Sequence, residues 1–317
     1  MNRANRVRWF TEFSQRVGVS LDASFNLMVD VPVDPGHFRT IQHAVTRYIA
    51  TCFGEPDLSE TQVVERLDTE LGRLVNRTPN GVLMPKLEFA REFNELHRVI
   101  ADWVRSLRIE PLIARMFCPI TVRIVKGKGE TQAVIRPYSS TKIHVDLWSG
   151  DPSDNVGINL PVLGDIHSTT VAFYHPPVDF ERKWLRVMKD FDEGREIAGA
   201  CTEYPTHLQI GHAYFYDATV LHKTTQREGG TRVSLQLLLR RPTSEADLRQ
   251  IEQLADAGRI RMYIDPAEWF AYGTSKYLLF RDTFADSLKG VFTEPPYNKR
   301  IYDVVDSLED IDTTVRA

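Results

Sequence analysis

Four polar residues in the second half of the chain have the types and spacing needed to bind a metal ion beside an acidic ligand. His144 and Asp146 stand two apart, His222 follows later, and Arg232 comes ten residues after that histidine. Two histidines and one carboxylate can bind one face of a divalent metal ion and leave its other positions open, as at mononuclear non-haem iron(II) sites. An arginine offers a two-pronged contact to a carboxylate. The four residues therefore predict an iron site next to a bound organic diacid.

Predicted strands place the three metal-binding candidates together. His-x-Asp alone is a weak motif because short patterns arise easily by chance. Residues 142–147 alternate between apolar and polar side chains, which predicts a strand. Residues two apart on a strand project to the same face, so His144 and Asp146 are expected side by side. His222 ends a second predicted strand, 220–222.

Arg232 begins a third predicted strand, on which Ser234 and Gln236 share its face. An alternative interpretation is that all of these are ordinary strand residues with chance neighbours. Four other histidines near predicted turns are rivals for the second histidine ligand, and among them His212 also precedes a strand. Of these five histidines, only His222 has an arginine ten residues later.

The pattern His144-x-Asp146 … His222 … Arg232-x-Ser234 resembles the iron(II)- and 2-oxoglutarate-dependent dioxygenases. The resemblance implies a double-stranded β-helix, also called a jelly roll or cupin-like barrel. It implies that the two histidines and the aspartate are the catalytic iron ligands. It also implies that Arg232 binds the distal carboxylate of 2-oxoglutarate and that Ser234 donates a hydrogen bond to the same group. The flanking segments are similar to those of bacterial small-molecule and sugar hydroxylases, including Kdo hydroxylases and enzymes of aminoglycoside clusters.

This resemblance implies iron(II), 2-oxoglutarate as co-substrate and dioxygen, with release of succinate and carbon dioxide. Halogenating relatives replace the carboxylate ligand by a small residue, whereas this chain keeps Asp146, which favours hydroxylation. The expected substrate is a small polar molecule, such as a sugar or a natural-product intermediate. Two alternatives stay open: a dioxygenase of the same fold that acts on a protein or peptide side chain, and a cupin-like metal-binding module without turnover. Arg232 and Ser234 argue against the second.

Several weaker candidates surround this set. Arg136, on a predicted strand over residues 133–136, and Tyr138 precede the His-x-Asp pair and are candidates for binding 2-oxoglutarate or an anionic substrate. Asn159 and Thr170 lie on predicted strands that face the cavity or its back. Trp148 is expected to be a packed indole that borders the site. Each of these residues has a purely structural role as its alternative.

Composition excludes some partners. The chain has 317 residues, is 42% hydrophobic and 26% charged, and carries a formal net charge of −4. That charge argues against nucleic acid, because binding phosphates requires clustered lysine and arginine. The sequence has no run of 18 apolar residues, and its N-terminal stretch lacks the apolar core of a secretion signal. The basic and aromatic residues of that stretch predict a solvated first helix, with contact to a membrane surface as the alternative. Three isolated cysteines fit a reducing compartment, which predicts a cytoplasmic protein.

We predict an α+β fold in three parts. Residues 1–118 are expected to form a mainly helical scaffold packed on the barrel, residues 119–242 the double-stranded β-helix catalytic core, and residues 243–317 a helical, aromatic-rich extension. That extension is expected to wrap against the helical scaffold, with a lid or a homodimer contact as the alternatives. A predicted helical insert, 180–200, interrupts the strands of the core and is expected to border the substrate mouth.

The first part contains the clearest local signals. They predict a strand over residues 24–33 and a helix over residues 37–53. A second helix is predicted from the capping box at Ser59 and Gln62 onwards, and Pro85 is expected to begin a longer one. A further helix is predicted after residue 244.

Overall fold

The computed structural model of the chain describes residues 3–74, 76–78, 80–127, 138–176, 184–242, 263–280 and 302–311. The chain divides into two compact units, and the described parts contain helices together with antiparallel strand pairs. The first unit contains Met1–Val33 and Ile124–Arg241, and the second contains Asp34–Arg123 and Pro242–Ala317. The expected division after residues 118 and 242 stays a prediction.

Regular elements occur in both units, and no helix in the described ranges has the length and apolar character needed to cross a membrane. The α-helices are α1 (Arg3–Val17), α2 (Pro35–Cys52), α3 (Glu60–Thr69), α4 (Ala90–Ser106), α5 (Arg195–Gly199) and α6 (Pro266–Ala271). The strands are β1 (Met28–Pro32), β2 (Val82–Leu83), β3 (Arg115–Phe117), β4 (Thr121–Lys126), β5 (Asn155–Gly164), β6 (Thr169–His175), β7 (Thr202–Tyr204), β8 (His212–Asp217), β9 (Leu221–Gln226), β10 (Thr231–Arg240), β11 (Tyr263–Ile264), β12 (Tyr277–Phe280) and β13 (Tyr302–Val305).

Two antiparallel sheets form the strand-rich part of the first unit. The larger contains β1, β8, β5 and β10 in that order, and the smaller contains β7, β6 and β9. In the larger sheet, Ile158 stands opposite both Phe215 and Leu237, so these three apolar side chains share a face. Phe13 of α1 packs on that face, with its ring centroid 4.5 Å from that of Phe215.

The first helix, which the sequence predicts to be solvated, is exposed on one face only. Trp9, Phe10 and Phe13 are buried on the other side of α1. The prediction holds only in part, because apolar residues at this spacing form a stripe and one face of the larger sheet covers it.

The opposite face of the larger sheet is turned towards the smaller sheet. Tyr216 stands opposite Gly157 in the register, and its ring centroid lies 5.4 Å from that of Phe173 on β6. A Cβ atom at position 157 would lie 2.5 Å from Cζ of Tyr216, so any other residue there would displace the tyrosine ring. The interior of the first unit, between its two sheets, is thus lined by aromatic side chains.

A buried ionic cluster joins α1 to the larger sheet. Asp217 binds Arg6 at 2.8 Å and Arg241 at 2.5 Å, and the three side chains are almost fully buried. Burial opposes ionisation of Asp217, but the guanidinium groups of Arg241 and Arg6 outweigh it and hold the pKa of the carboxyl below its ordinary value. The N-terminal helix is therefore fastened to β8 by charges that water does not reach.

The turn between β5 and β6 determines where β10 can begin. Gly164 has a φ of +82°, and a Cβ atom there would lie 1.9 Å from the carbonyl oxygen of Thr231 and 3.5 Å from Cα of Arg232. The next residue, Asp165, accepts a hydrogen bond of 3.2 Å from the backbone N–H of Gly230. These contacts hold the start of β10, and with it Arg232, against the end of β5.

Replacing Gly164 by alanine is expected to lower the free energy of unfolding by about 2 kcal/mol or more, since the side chain is strained at this φ and meets the Thr231 carbonyl. Gly72 is a matched control, because a Cβ atom there meets nothing within 4 Å and its φ is not positive. Urea denaturation of both variants measures the difference. Equal stabilities for the two alanine variants would contradict the role given to Gly164.

In the second unit, helix signals in the sequence are largely confirmed. Asp34 caps α2 by accepting hydrogen bonds from two backbone N–H groups, and Ser59 and Gln62 form the predicted capping box before α3. On α4, His97 is completely buried and its Nε2 lies 3.0 Å from the Trp269 carbonyl. Burial lowers the pKa of His97 to about 4, so this histidine is neutral and structural.

The predicted start of the long helix at Pro85 is wrong. A 3-10 turn, Leu87–Phe89, comes first, and α4 begins at Ala90. The reason is a tertiary contact: Asn76 donates to the carbonyl of Met84 at 2.6 Å and accepts from its N–H, which holds the chain before Pro85 extended. Proline pre-organises a helix only where the preceding chain is free to turn into it.

Three other predicted elements differ from the structure. The strand predicted over residues 24–33 shortens to β1, because Asp22 holds the chain before it in turns. Residues 207–210, a short run for which the sequence also predicts a strand, do not form one. Of the insert 180–200, the described residues 184–200 contain only the 3-10 turn Phe191–Gly194 and the short α5, so this part is less helical than predicted. The strand 133–136 and the helix after residue 244 lie outside the described residues.

Candidate metal centre

His144, Asp146 and His222 come together in the first unit. One possible ligand atom from each residue lies within 4.8 Å of the others. Oδ1 of Asp146 is 3.5 Å from Nε2 of His222, and the two imidazole centroids are 4.4 Å apart. This is the only such group of three among the residues that the structure describes.

The backbone that positions these side chains differs from the prediction in one respect. His144 and His222 stand opposite each other in an isolated antiparallel bridge, with hydrogen bonds of 2.9 Å in both directions. The predicted strand 142–147 does not continue past this bridge, because Asp146–Ser149 forms a 3-10 turn that ends at Gly150 with a φ of +103°. Asp146 therefore reaches the site through a turn, and strand alternation is not what places it there.

Hydrogen bonds set the tautomer of both histidines. Nδ1 of His144 lies 2.7 Å from the carbonyl oxygen of Lys142, and Nδ1 of His222 lies 3.0 Å from that of Val220. A carbonyl oxygen only accepts, so each Nδ1 carries the hydrogen and each neutral ring presents an Nε2 lone pair. Metal-binding histidines are oriented in this way by a second hydrogen bond.

The donor set fits a divalent transition metal. Two imidazole nitrogens and one carboxylate oxygen suit iron(II), and equally cobalt, nickel or zinc. His144 and His222 are 6% and 8% exposed, and Asp146 is half-buried. Three protein ligands on one side of a metal ion leave positions for a co-substrate on the other.

Two aromatic rings lie against the histidine rings. Phe191 stacks on His144 with centroids 4.1 Å apart and an interplanar angle of 17°, and the centroid of Tyr216 lies 5.1 Å from that of His222. Neither residue was predicted from the sequence. The alternation within β8 was a usable signal for Tyr216, whereas no local pattern pointed to Phe191.

Polar residues of the larger sheet share the interior face with Tyr216. Asn159 lies two positions after Gly157 on β5 and therefore shares its face, and Gln236 of β10 stands opposite Asn159. Ser234 lies two positions before Gln236 on β10 and shares the face of Gln236. Arg232 lies two positions before Ser234, beyond a register shift between Val233 and Ser234, and its side chain is 1% exposed. Ser234 Oγ and Asn159 Nδ2 are buried without a hydrogen-bond partner among the described residues.

The remaining predicted residues are not gathered at this face. Thr170 shares the face of Ala172 on β6. The opposite face contains Phe173, which stands across from His222 on β9. The Tyr138 hydroxyl donates to the carbonyl of Met188 at 2.8 Å. Arg136 lies outside the described residues. The Trp148 indole, adjacent to the site, is packed as expected and fully buried.

Comparisons with known proteins identify structural neighbours only. No family model matches the sequence, and no curated protein matches it significantly. Among solved structures, the chain is similar to the non-heme alpha-ketoglutarate-dependent carbocyclase SnoK from nogalamycin biosynthesis, at 10% identity over 79% of this chain and 90% of that one, with a TM-score of 0.38. AviO1 from Streptomyces viridochromogenes aligns at 14% identity over 77% and 96%, with a TM-score of 0.39.

A third neighbour is an N-substituted L-amino acid dioxygenase from Burkholderia ambifaria, at 16% identity over 75% of this chain and 89% of that one, with a TM-score of 0.36. The identities and TM-scores are low. Neither the activity nor the substrate of these proteins therefore transfers to this chain by similarity.

Proposed function

We propose that this chain is an iron(II)- and 2-oxoglutarate-dependent oxygenase that hydroxylates a small polar molecule, a sugar or a natural-product intermediate. The observation that carries the proposal is the convergence of His144, Asp146 and His222, with both Nε2 atoms set as metal ligands by backbone carbonyls. The pair of antiparallel sheets around this triad supports a double-stranded β-helix as the catalytic core.

Each residue has a separate task in the proposed site. The triad holds the metal ion through two nitrogens and one oxygen. Arg232 binds the distal carboxylate of 2-oxoglutarate through its guanidinium fork, and the Ser234 hydroxyl donates a hydrogen bond to the same carboxylate. Asn159, whose Nδ2 faces the same interior, donates to a polar group of the bound co-substrate. When bound, iron, 2-oxoglutarate and dioxygen supply the oxidation of a substrate C–H bond, with release of succinate and carbon dioxide.

Two features support the finer proposal. Asp146 gives the metal a carboxylate where a halogenating site needs a small residue, which favours hydroxylation. The described residues 184–200 pack on His144 of the triad through Phe191, which is 4% exposed. A covered site of this kind favours a small substrate over a polypeptide, which requires an open groove.

The co-substrate role of Arg232 gives the direct test. Replacing it by alanine is expected to raise the 2-oxoglutarate concentration needed for half-saturation by at least roughly tenfold, which corresponds to about 1.4 kcal/mol. Lysine should not restore binding, because it lacks the guanidinium fork. Anaerobic titration of the iron-loaded protein, followed through its visible charge-transfer absorption, measures this affinity.

The exposed Arg227, which directly follows β9, is the matched control, and its alanine variant should titrate like the unchanged protein. Identical curves for the Arg232 variant would remove this residue from the site. The proposed function itself is tested by adding dioxygen to the iron-loaded protein with 2-oxoglutarate. If no oxygen-dependent formation of succinate follows, the proposed function is wrong.

A further inference from the structure

The segment between β6 and β7 is fastened to the segment that carries two of the proposed metal ligands. We name residues 184–200 the cover segment and residues 138–149 the ligand segment. Contacts between them include main-chain and side-chain hydrogen bonds and an ion pair, at both ends of the ligand segment. They are Tyr138 Oη to the Met188 carbonyl at 2.8 Å, Met188 N–H to the Trp148 carbonyl at 2.9 Å, Trp148 Nε1 to the Trp184 carbonyl at 2.9 Å, and Lys142 Nζ to Asp192 at 2.5 Å.

A close fit at Gly194 adds to these contacts. A Cβ atom at that position would lie 2.2 Å from the Trp148 ring, so the cover segment touches the indole through bare backbone. Phe191, Met188 and Ile197 of the cover segment belong to the same buried apolar cluster as Trp148. The cover segment is therefore packed against the ligand segment as part of the protein core.

One residue of the cover segment contacts a metal ligand directly. The Phe191 ring stacks on the His144 imidazole, with ring centroids 4.1 Å apart. The ring of Tyr138 stands edge-on to the Phe191 ring, with a centroid distance of 5.3 Å. The neighbouring Asp192 binds the ammonium group of Lys142, and the carbonyl of Lys142 accepts the hydrogen bond from His144 Nδ1. The cover segment thus restrains His144 through its flat face and through the residue that accepts its hydrogen bond.

This restraint bears on metal affinity. An imidazole ring that is free to turn about its side-chain bonds loses that freedom when a metal binds, and the loss weakens binding. A ring already held in the binding orientation by its neighbours avoids the loss, as with outer partners of metal ligands in general. Restraint by Phe191 should accordingly strengthen metal binding, and a bound metal should in turn strengthen the docking of the cover segment.

We propose that Phe191 is a positioning residue for the metal centre, and that metal occupancy and docking of the cover segment stabilise each other. The proposal rests on the metal ligands of the proposed function and does not depend on 2-oxoglutarate or on the substrate.

The test uses the full-length, metal-free protein titrated with cobalt(II) alone, and with zinc(II) in competition with it. Phe191→Ala and Phe191→Leu are expected to weaken binding by about tenfold and to change the visible cobalt(II) spectrum, because leucine fills the space without offering a flat ring. Phe191→Tyr keeps the ring and should restore both affinity and spectrum. If the alanine variant does not fold, the comparison of leucine with tyrosine decides the question.

Phe25→Leu is the matched control, since Phe25 is a buried ring of the first unit that stacks on Tyr204 and lies outside both the cover segment and the ligand segment. It should lower stability while leaving cobalt(II) affinity and spectrum unchanged. Hydrogen exchange of the backbone amides gives the reciprocal measurement: metal should slow exchange in the cover segment of the unchanged protein and have little effect there in Phe191→Leu.

The outcomes separate two failures. Absence of cobalt(II) and zinc(II) binding in the unchanged protein would overturn the metal centre on which the proposed function depends. Tight binding in the unchanged protein with equal affinity and spectrum in all Phe191 variants, or a loss of the same size in Phe25→Leu, would overturn the positioning role alone.

Discussion

Replacement of His222 by alanine is expected to weaken the binding of a divalent metal ion by at least roughly a hundredfold, a larger loss than that for an outer partner of a ligand. Only His144 and Asp146 would remain as protein ligands, and two ligands hold a metal ion much less tightly than the three of the triad. Competition with a chelator, using zinc(II) or cobalt(II) on the metal-free protein, measures this affinity.

His212 is the control for this experiment. It lies on β8 and its Nδ1 is 2.9 Å from Asp30, so its replacement by alanine removes a histidine of the same unit from outside the triad. Metal affinity should stay unchanged. An unaltered affinity in the His222 variant, or a comparable loss in the His212 variant, would contradict the assignment of the metal ligands.

The second large effect is expected for stability. Replacing Asp217 by alanine should lower the free energy of unfolding by about 3–5 kcal/mol, because two buried guanidinium groups, those of Arg6 and Arg241, would lose the carboxylate that both contact. Urea denaturation at neutral pH measures the loss. A reduction below about 1 kcal/mol, the range of exposed ion pairs, would show that the cluster has been misjudged.

A matched pair on the same helix provides the comparison. Glu12 and Arg16 form an exposed ion pair of 2.9 Å on α1, and Glu12→Ala should change stability by less than about 1 kcal/mol.

The dependence of the free energy of unfolding on pH has a definite sign as well. Since the folded pKa of Asp217 is lowered, its contribution is present above the ordinary value of 3.8 and is lost as the pH falls below it.

The sequence was sufficient for the residues whose surroundings are local. The strands that carry Arg232 and Asn159 follow from alternation and turn residues, and α3 follows from the capping box at Ser59. The types and order of His144, Asp146 and His222 pointed to a metal site. The structure places one possible ligand atom of each within 4.8 Å of the others.

Features that depend on distant parts of the chain were not predictable in this way. Asp146 reaches the triad from a 3-10 turn that packing of Trp148 stabilises, although alternation alone indicated a strand. Phe191 meets His144 only because the cover segment folds back over the ligand segment. The pairing of β1 with β8 joins the first residues of the chain to the second half, and no local pattern encodes that partner.

Thr170 illustrates the remaining difficulty. Its strand was predicted at the correct place, but a strand has two faces and the sequence of β6 is apolar on both. When both faces are buried, alternation does not tell which one meets the cavity. The register with β9 supplies that information, because it sets Phe173, and not Thr170, opposite His222.

The hydrogen bonds that orient the two histidines have a consequence for how the site tolerates sequence change. In both cases Nδ1 donates to the backbone carbonyl two positions earlier on the same chain segment, that of Lys142 for His144 and that of Val220 for His222. Every amino acid supplies such a carbonyl, so the residue at position 220 can be exchanged without losing the bond that turns the His222 ring. The orientation of the His222 ring thus depends here on backbone geometry, and the residue type at position 220 can diverge while this ring keeps its orientation.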